Sequence, residues 1–102
     1  MKLQDRVAIV TGAASGIGRA TTMALADQGA DIAMFDINEV KLAGVADEVK
    51  LKGRSALALH CDVSNAQGVD AAVKRAADTL GRIDILINDV EIIYAGTVAE
   101  MR

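Results

Sequence analysis

The chain has no proline, and it carries a single cysteine, histidine, tyrosine and phenylalanine. One cysteine cannot close an internal disulfide, so this is no disulfide-held scaffold, and a reducing compartment is the simplest setting. Cys61 therefore reads as a small buried hydrophobe. His60 has no partners at metal-ligand spacing, so no metal site is expected. No proline-rich linker or low-complexity tract divides the 102 residues. No apolar run has the length of a membrane span, and residues 1–6 lack the apolar core of a signal peptide. With 11 basic against 14 acidic side chains, a net charge of −3 and a pI near 5.0, there is no basic footprint for nucleic acid or an anionic membrane. These absences predict a cytoplasmic protein.

Hydrophobic residues make up 52% of the chain and charged ones 25%, which excludes disorder and suits a sheet buried on both faces. The densest information lies at Thr11-Gly12-Ala13-Ala14-Ser15-Gly16-Ile17-Gly18, between an apolar strand (7–10) and a stretch with helical spacing. Glycines there let the backbone turn tightly and approach a ligand without a Cβ in the way. The following helix directs its first N–H groups and positive dipole end to the same place, which favours a phosphate. A turn of this kind alone is a weak signal, since glycines can serve the turn and nothing else. Here a second strand follows and closes on Asp36, at the expected distance beyond the glycines. A carboxylate there can accept both hydroxyls of an adenosine ribose and would repel a 2′-phosphate.

The repeating unit is strand then helix, which predicts an α/β fold with a parallel sheet. The first helix is expected over 16–28, burying Ile17, Ala20 and Ala24, with Gly29 as its stop. A second over 38–52 would bury Leu42, Val45, Ala46 and Val49 and end at Gly53. A third strand is expected over 56–60. Ser64 and Gln67 form a capping box that opens a third helix, with Val69, Ala72, Val73, Ala76 and Leu80 on one face and Gly81 at its end. The fourth strand is expected over 84–87. Right-handed crossovers place the first two helices on one face and the third on the other, giving strand order 3-2-1-4. The glycine-rich turn, Asp36, Asp62 and Asn88 then all lie at the carboxyl ends of the strands, beside the switch point between strands one and four.

The spacing T-G-x-x-x-G-x-G differs from G-x-G-x-x-G and resembles the short-chain dehydrogenase/reductase family. Four further segments fit in the same order: residues 3–8, Asp36, Cys61-Asp62-Val63, and Gly81-Arg82-Ile83-Asp84-Ile85-Leu86-Ile87-Asn88. The resemblance covers essentially the whole chain. It implies a Rossmann-type dinucleotide-binding half over 1–102 and an oxidoreductase acting on alcohols or carbonyls, with NAD as cofactor. It also implies that Gly12, Ser15, Gly16, Ile17, Gly18, Asp36, Ile37, Asp62, Val63 and Asn88 hold that cofactor, with Asp62 and Val63 along the adenine. Ser15 and Ile37 stand where relatives that prefer NADP place a basic residue.

The sequence departs from the family in two places. After the fourth strand it reads Asn88-Asp89-Val90-Glu91 where the family has Asn-Asn-Ala-Gly. Val90 and Glu91 add bulk and negative charge near the pyrophosphate, so weakened cofactor binding is expected unless the loop swings out. The family's catalytic Tyr-x-x-x-Lys is absent: Tyr94 is followed four residues later by Val98. No catalytic residue is assigned, and the chain is expected to be a truncated unit, inactive alone. Two classes of function remain open, a cofactor-binding portion of an NAD-dependent oxidoreductase and a non-catalytic self-associating or regulatory module. A homo-oligomer, a dimer through the fourth strand with residues 90–102 exchanged, is the expected partner, since Ile85, Leu86 and Ile87 would form an unprotected apolar edge.

Overall fold

A computed structural model describes residues 3–88. The expectations for Val90, Glu91, Tyr94 and the exchanged segment 90–102 lie outside the described residues. Seven elements alternate along the chain: β1 (Val7–Thr11), α1 (Gly16–Asp27), β2 (Asp31–Asp36), α2 (Glu39–Leu51), β3 (Ala56–His60), α3 (Ala66–Leu80) and β4 (Ile85–Asn88). The strands form one parallel sheet in the order β3-β2-β1-β4. This is the α/β, Rossmann-type arrangement that the strand–helix repeat predicted.

Because side chains alternate across a strand, β1 and β2 serve two cores at once. Ala8, Val10, Ile32 and Met34 face α1 and α2, where Leu42, Val45, Ala46 and Val49 cover them. Ile9, Ala33 and Phe35 face the other way, against Ala72 and Ala76 of α3. The first two helices therefore share one face and the third takes the opposite one. Both α1 and α2 end in a Schellman motif. The Ala30 N–H donates to the Leu25 carbonyl and Gly29 to Ala26, and Arg54 and Gly53 repeat the pattern on Val49 and Lys50.

Three local readings are corrected. The buried stripe of α1 is Gly18, Thr22 and Ala26, whereas Ile17 is 75% exposed and Ala20 and Ala24 are exposed as well. The reason is a close approach. A Cβ on Gly18 would stand 1.9 Å from the Gly12 carbonyl oxygen, so the glycine alone can face β1, and that contact fixes the rotation of the helix. The third helix is capped by Asn65, whose Oδ1 accepts from the Gly68 N–H at 3.2 Å, while Ser64 donates its hydroxyl to Asp62 instead of forming a capping box. The outer ends of the strands also shift. β1 runs on to Thr11 and β4 begins at Ile85, with Asp84 lying before it.

Candidate functional site

Parallel pairing carries the carboxyl ends of all four strands to one edge of the sheet. There the chain turns from β1 into α1 through Gly12 and Gly16, both with positive φ (64° and 59°). A Cβ on Gly16 would meet nothing within 4 Å, so the space over this turn is open. Ser15 is the N-cap of α1 in extended conformation, and its side chain makes no capping hydrogen bond. By contrast, Asn38 and Asn65 cap α2 and α3 with their side chains. The first N–H groups of α1 are thus left to the turn and to whatever binds over it.

A cleft of about 180 Å³ opens beside this turn, lined by Gly12, Asp36, Ile37, Cys61, Asp62 and Val63. Five of the ten residues predicted from the sequence meet here. Gly18 lies buried beneath the turn, Ser15, Gly16 and Ile17 form its exposed rim, and Asn88 stands at the end of β4. Thr11 joins that end to the turn by donating its hydroxyl to Asn88 Oδ1 at 2.7 Å.

Asp36 is the best-anchored acid of the group. Its Oδ2 accepts the Ala14 N–H and its Oδ1 accepts the Asn38 N–H, each at 2.9 Å. Among the described residues no cation pairs with it, so its charge remains directed at the cleft. Asp62 is held below the usual carboxylate range, first by the Ser64 hydroxyl and then by the Ser64 N–H, both donating to Oδ1. Burial, with the Asp62 charge as a smaller influence, pushes the Cys61 thiol up, so at neutral pH it is a protonated wall of the cleft. The residues that sequence reasoning did not assign to the site are Thr11, Ala14, Asn38 and Cys61. Cys61 was legible as the neighbour of Asp62. Ala14 contributes through its backbone N–H, which no side-chain pattern announces.

Residues 6–102 match the family described as short chain dehydrogenase. The chain belongs to the short-chain dehydrogenase family. It is 39% identical over 101 residues to the (2S)-[(R)-hydroxy(phenyl)methyl]succinyl-CoA dehydrogenase subunit BbsD of Thauera aromatica, covering 99% of this chain and 41% of that relative. Among solved structures, it is 36% identical to an NAD+-bound xylitol dehydrogenase at a TM-score of 0.82, over 84% of this chain and 33% of that one. A short chain dehydrogenase/reductase from Burkholderia phymatum in complex with NAD shares 31% identity at a TM-score of 0.80, over 84% and 31% of the two chains. The chain thus spans about two-fifths of the length of the curated relatives it matches.

Proposed function

We propose that this chain is the NAD(H)-binding portion of a short-chain dehydrogenase/reductase-type oxidoreductase, one dinucleotide-binding unit that is inactive alone. The observation that carries this reading is Asp36, a carboxylate with no paired cation among the described residues, set in a cleft beside a glycine turn and a helix start without a side-chain cap. Two relatives of the same fold hold NAD. Adenine would lie along Ile37, Asp62 and Val63, the ribose diol on Asp36, and the pyrophosphate over Gly12, Ser15, Gly16, Ile17 and Gly18 at the start of α1. Asn88 would support the far side. When bound, NAD supplies the nicotinamide that takes or gives a hydride.

Cofactor choice follows from charge. No basic residue stands at Ser15 or Ile37, and Arg19 is already held bidentately by Glu48, at 3.2 and 2.6 Å. A 2′-phosphate would face Asp36 without a cation to balance it. NAD should bind better than NADP by about 1–3 kcal/mol. Calorimetric titration of both nucleotides tests this, and equal affinities would refute the assignment. Reduction of a carbonyl also needs a group that protonates the forming alkoxide, and the chain has no Tyr-x-x-x-Lys. Purified chain should therefore show no NADH-dependent reduction above background, and turnover surviving removal of host dehydrogenases would overturn that expectation.

A second reading, self-association, is favoured by β4. Among the described residues this strand forms the outer edge of the sheet, and Leu86 is 37% exposed. Two chains could pair β4 to β4 across a two-fold axis, making one continuous sheet. Leu86→Lys should break that pair, seen as a fall in sedimentation coefficient. A folded monomer of the unmodified chain at micromolar concentration would rule this reading out.

A further inference from the structure

At the end of the sheet away from β4, the outer strand is β3. In a parallel ladder, alternate residues of an outer strand bond to its one neighbour and the rest face outward. Ser55 and Cys61 set the parity: the Ser55 carbonyl accepts the Ile32 N–H and the Cys61 N–H donates to the Asp36 carbonyl, both towards β2. Ala56, Ala58 and His60 therefore turn their N–H and C=O groups to the outside, and Ala58 and His60 are exposed. Outer strands are commonly guarded by charge, proline or a bulge, and Ala56-Leu57-Ala58-Leu59 has none of these. Beside this edge runs a groove of about 190 Å³, walled by Leu59 and His60 on one side and by Gly68, Ala71, Ala72 and Arg75 of α3 on the other. The four helix positions recur at one-face spacing, and the first three are too small to fill the space. Arg75, the last of them, is exposed and among the described residues enters no ion pair.

We propose that the β3 edge and the α3 groove together form a docking site for an extended peptide segment of a partner protein, one that carries an acidic side chain. Its backbone would pair with the outward N–H and C=O groups of Ala56, Ala58 and His60, extending the sheet by one strand. Alternate side chains would enter the groove, small apolar ones over Ala71 and Ala72 and a carboxylate against the Arg75 guanidinium. The acid is what points to a different chain. A second copy pairing through β3 would bring only Ala56-Leu57-Ala58-Leu59-His60, which has no carboxylate to meet Arg75. The groove shares no lining residue with the cleft at Asp36, so the proposal does not depend on the NAD reading.

NMR titration of the 102-residue chain with two capped heptapeptides tests this. In both peptides threonine alternates with valine, and the central valine is replaced by aspartate in one and by lysine in the other. The aspartate peptide should give saturable amide shifts at Ala58, His60, Gly68 and Ala71, and should slow amide exchange at Ala58 and His60 at least tenfold. Gly12 and Ile37, in the cleft, should keep their shifts. The lysine peptide should bind at least tenfold more weakly. Arg75→Glu changes one exposed side chain and should reverse the preference, taking the lysine peptide at least tenfold more tightly than the aspartate one. No saturable shift by about 1 mM peptide, the weak end of specific binding, would overturn the proposal. Equal binding of the two peptides would overturn it as well, and so would a preference that Arg75→Glu leaves unchanged. Shifts at the same amides that grow with protein concentration in the absence of peptide would mean that a second copy covers the edge, and would also overturn it.

Discussion

Two aspartates at opposite ends of the sheet have contrasting surroundings. Asp84, just before β4, is enclosed by cations: Arg82 Nη2 donates to its Oδ1 at 2.7 Å, and Arg6 lies at 3.6 Å. Its other oxygen accepts the Val7 N–H at 2.9 Å, while its own N–H donates to the Val7 carbonyl at 2.8 Å. Asp36, at the end of β2, has backbone donors and no cation among the described residues. Both carboxylates hold a turn or strand in place. Only Asp36 lines a cleft with its charge uncompensated, which is the condition for meeting a ligand that brings hydroxyl donors. The surroundings, more than the residue type, separate an acid that joins strands from one that can also bind.

The largest way to break this contrast is to destroy the turn that Asp36 organises. Gly18→Ala places a Cβ 1.9 Å from the Gly12 oxygen, and backbone must move to admit it. Urea unfolding should show a loss of about 3 kcal/mol, and NAD binding should disappear with it. Next, Asp36→Ala should cost about 1.5–3 kcal/mol of NAD affinity, the scale of hydrogen bonds to a charged group. The NAD-over-NADP preference should shrink accordingly in the same titrations. Asp84→Asn makes the opposite change. It should lower the melting temperature and leave the NAD affinity as it was, and an equal loss of affinity would erase the distinction between the two acids.

The smallest effect is one of pH. The Arg82 hydrogen bond, then the Val7 N–H, hold the Asp84 carboxyl below its ordinary value. A carboxylate with a lowered folded-state pKa contributes fully above the unfolded value, about 3.9, and loses that contribution as pH falls through the folded one. The difference in melting temperature between the unmodified chain and Asp84→Asn should therefore be constant above pH 5 and narrow towards pH 3. A difference that stays flat to pH 3 would show that the Asp84 charge contributes nothing to stability.

The sheet order and the faces of α2 and α3 were legible because they depend on periodicity and crossover handedness. Leu42, Val45, Ala46 and Val49 recur at helical spacing, and only a return of β4 beside β1 puts α3 on its own face. The face of α1 was not legible. Its apolar spacing favoured Ile17, but the helix turns on a residue with no side chain, Gly18, and hydrophobicity cannot register such a contact. Ser64 misled as well. The helix begins one residue later than the Ser64–Gln67 spacing implied, so Asn65 stands at the cap and accepts the Gly68 N–H, while Ser64 donates its hydroxyl to Asp62. At the candidate site, Gly12 and Asp36 could be placed from spacing, and Ile37, Asp62 and Val63 from the resemblance to the family. What joins Asp36 to the turn is carried by backbone N–H groups, which every residue but proline owns and which only the folded path brings within reach.

The register of β1 has a consequence for how the chain is built. Its partner β2 follows soon after, with Val7 opposite Asp31, whereas its other neighbour pairs Ala8 with Ile85. On a ribosome, β1, α1, β2, α2 and β3 can assemble while the strand that closes the other side is still unmade. Synthesis at ~5–20 residues per second puts roughly 3–10 s between the emergence of Asp36 and that of Asn88. Through that interval one side of the central strand stands open, and closing it requires a long loop to be drawn in. Asp84, with both its N–H and its carboxylate on Val7, is placed to make the first contacts of that closure. Translation speed between β2 and β4 thus sets how long the nascent sheet offers its apolar flank to other chains.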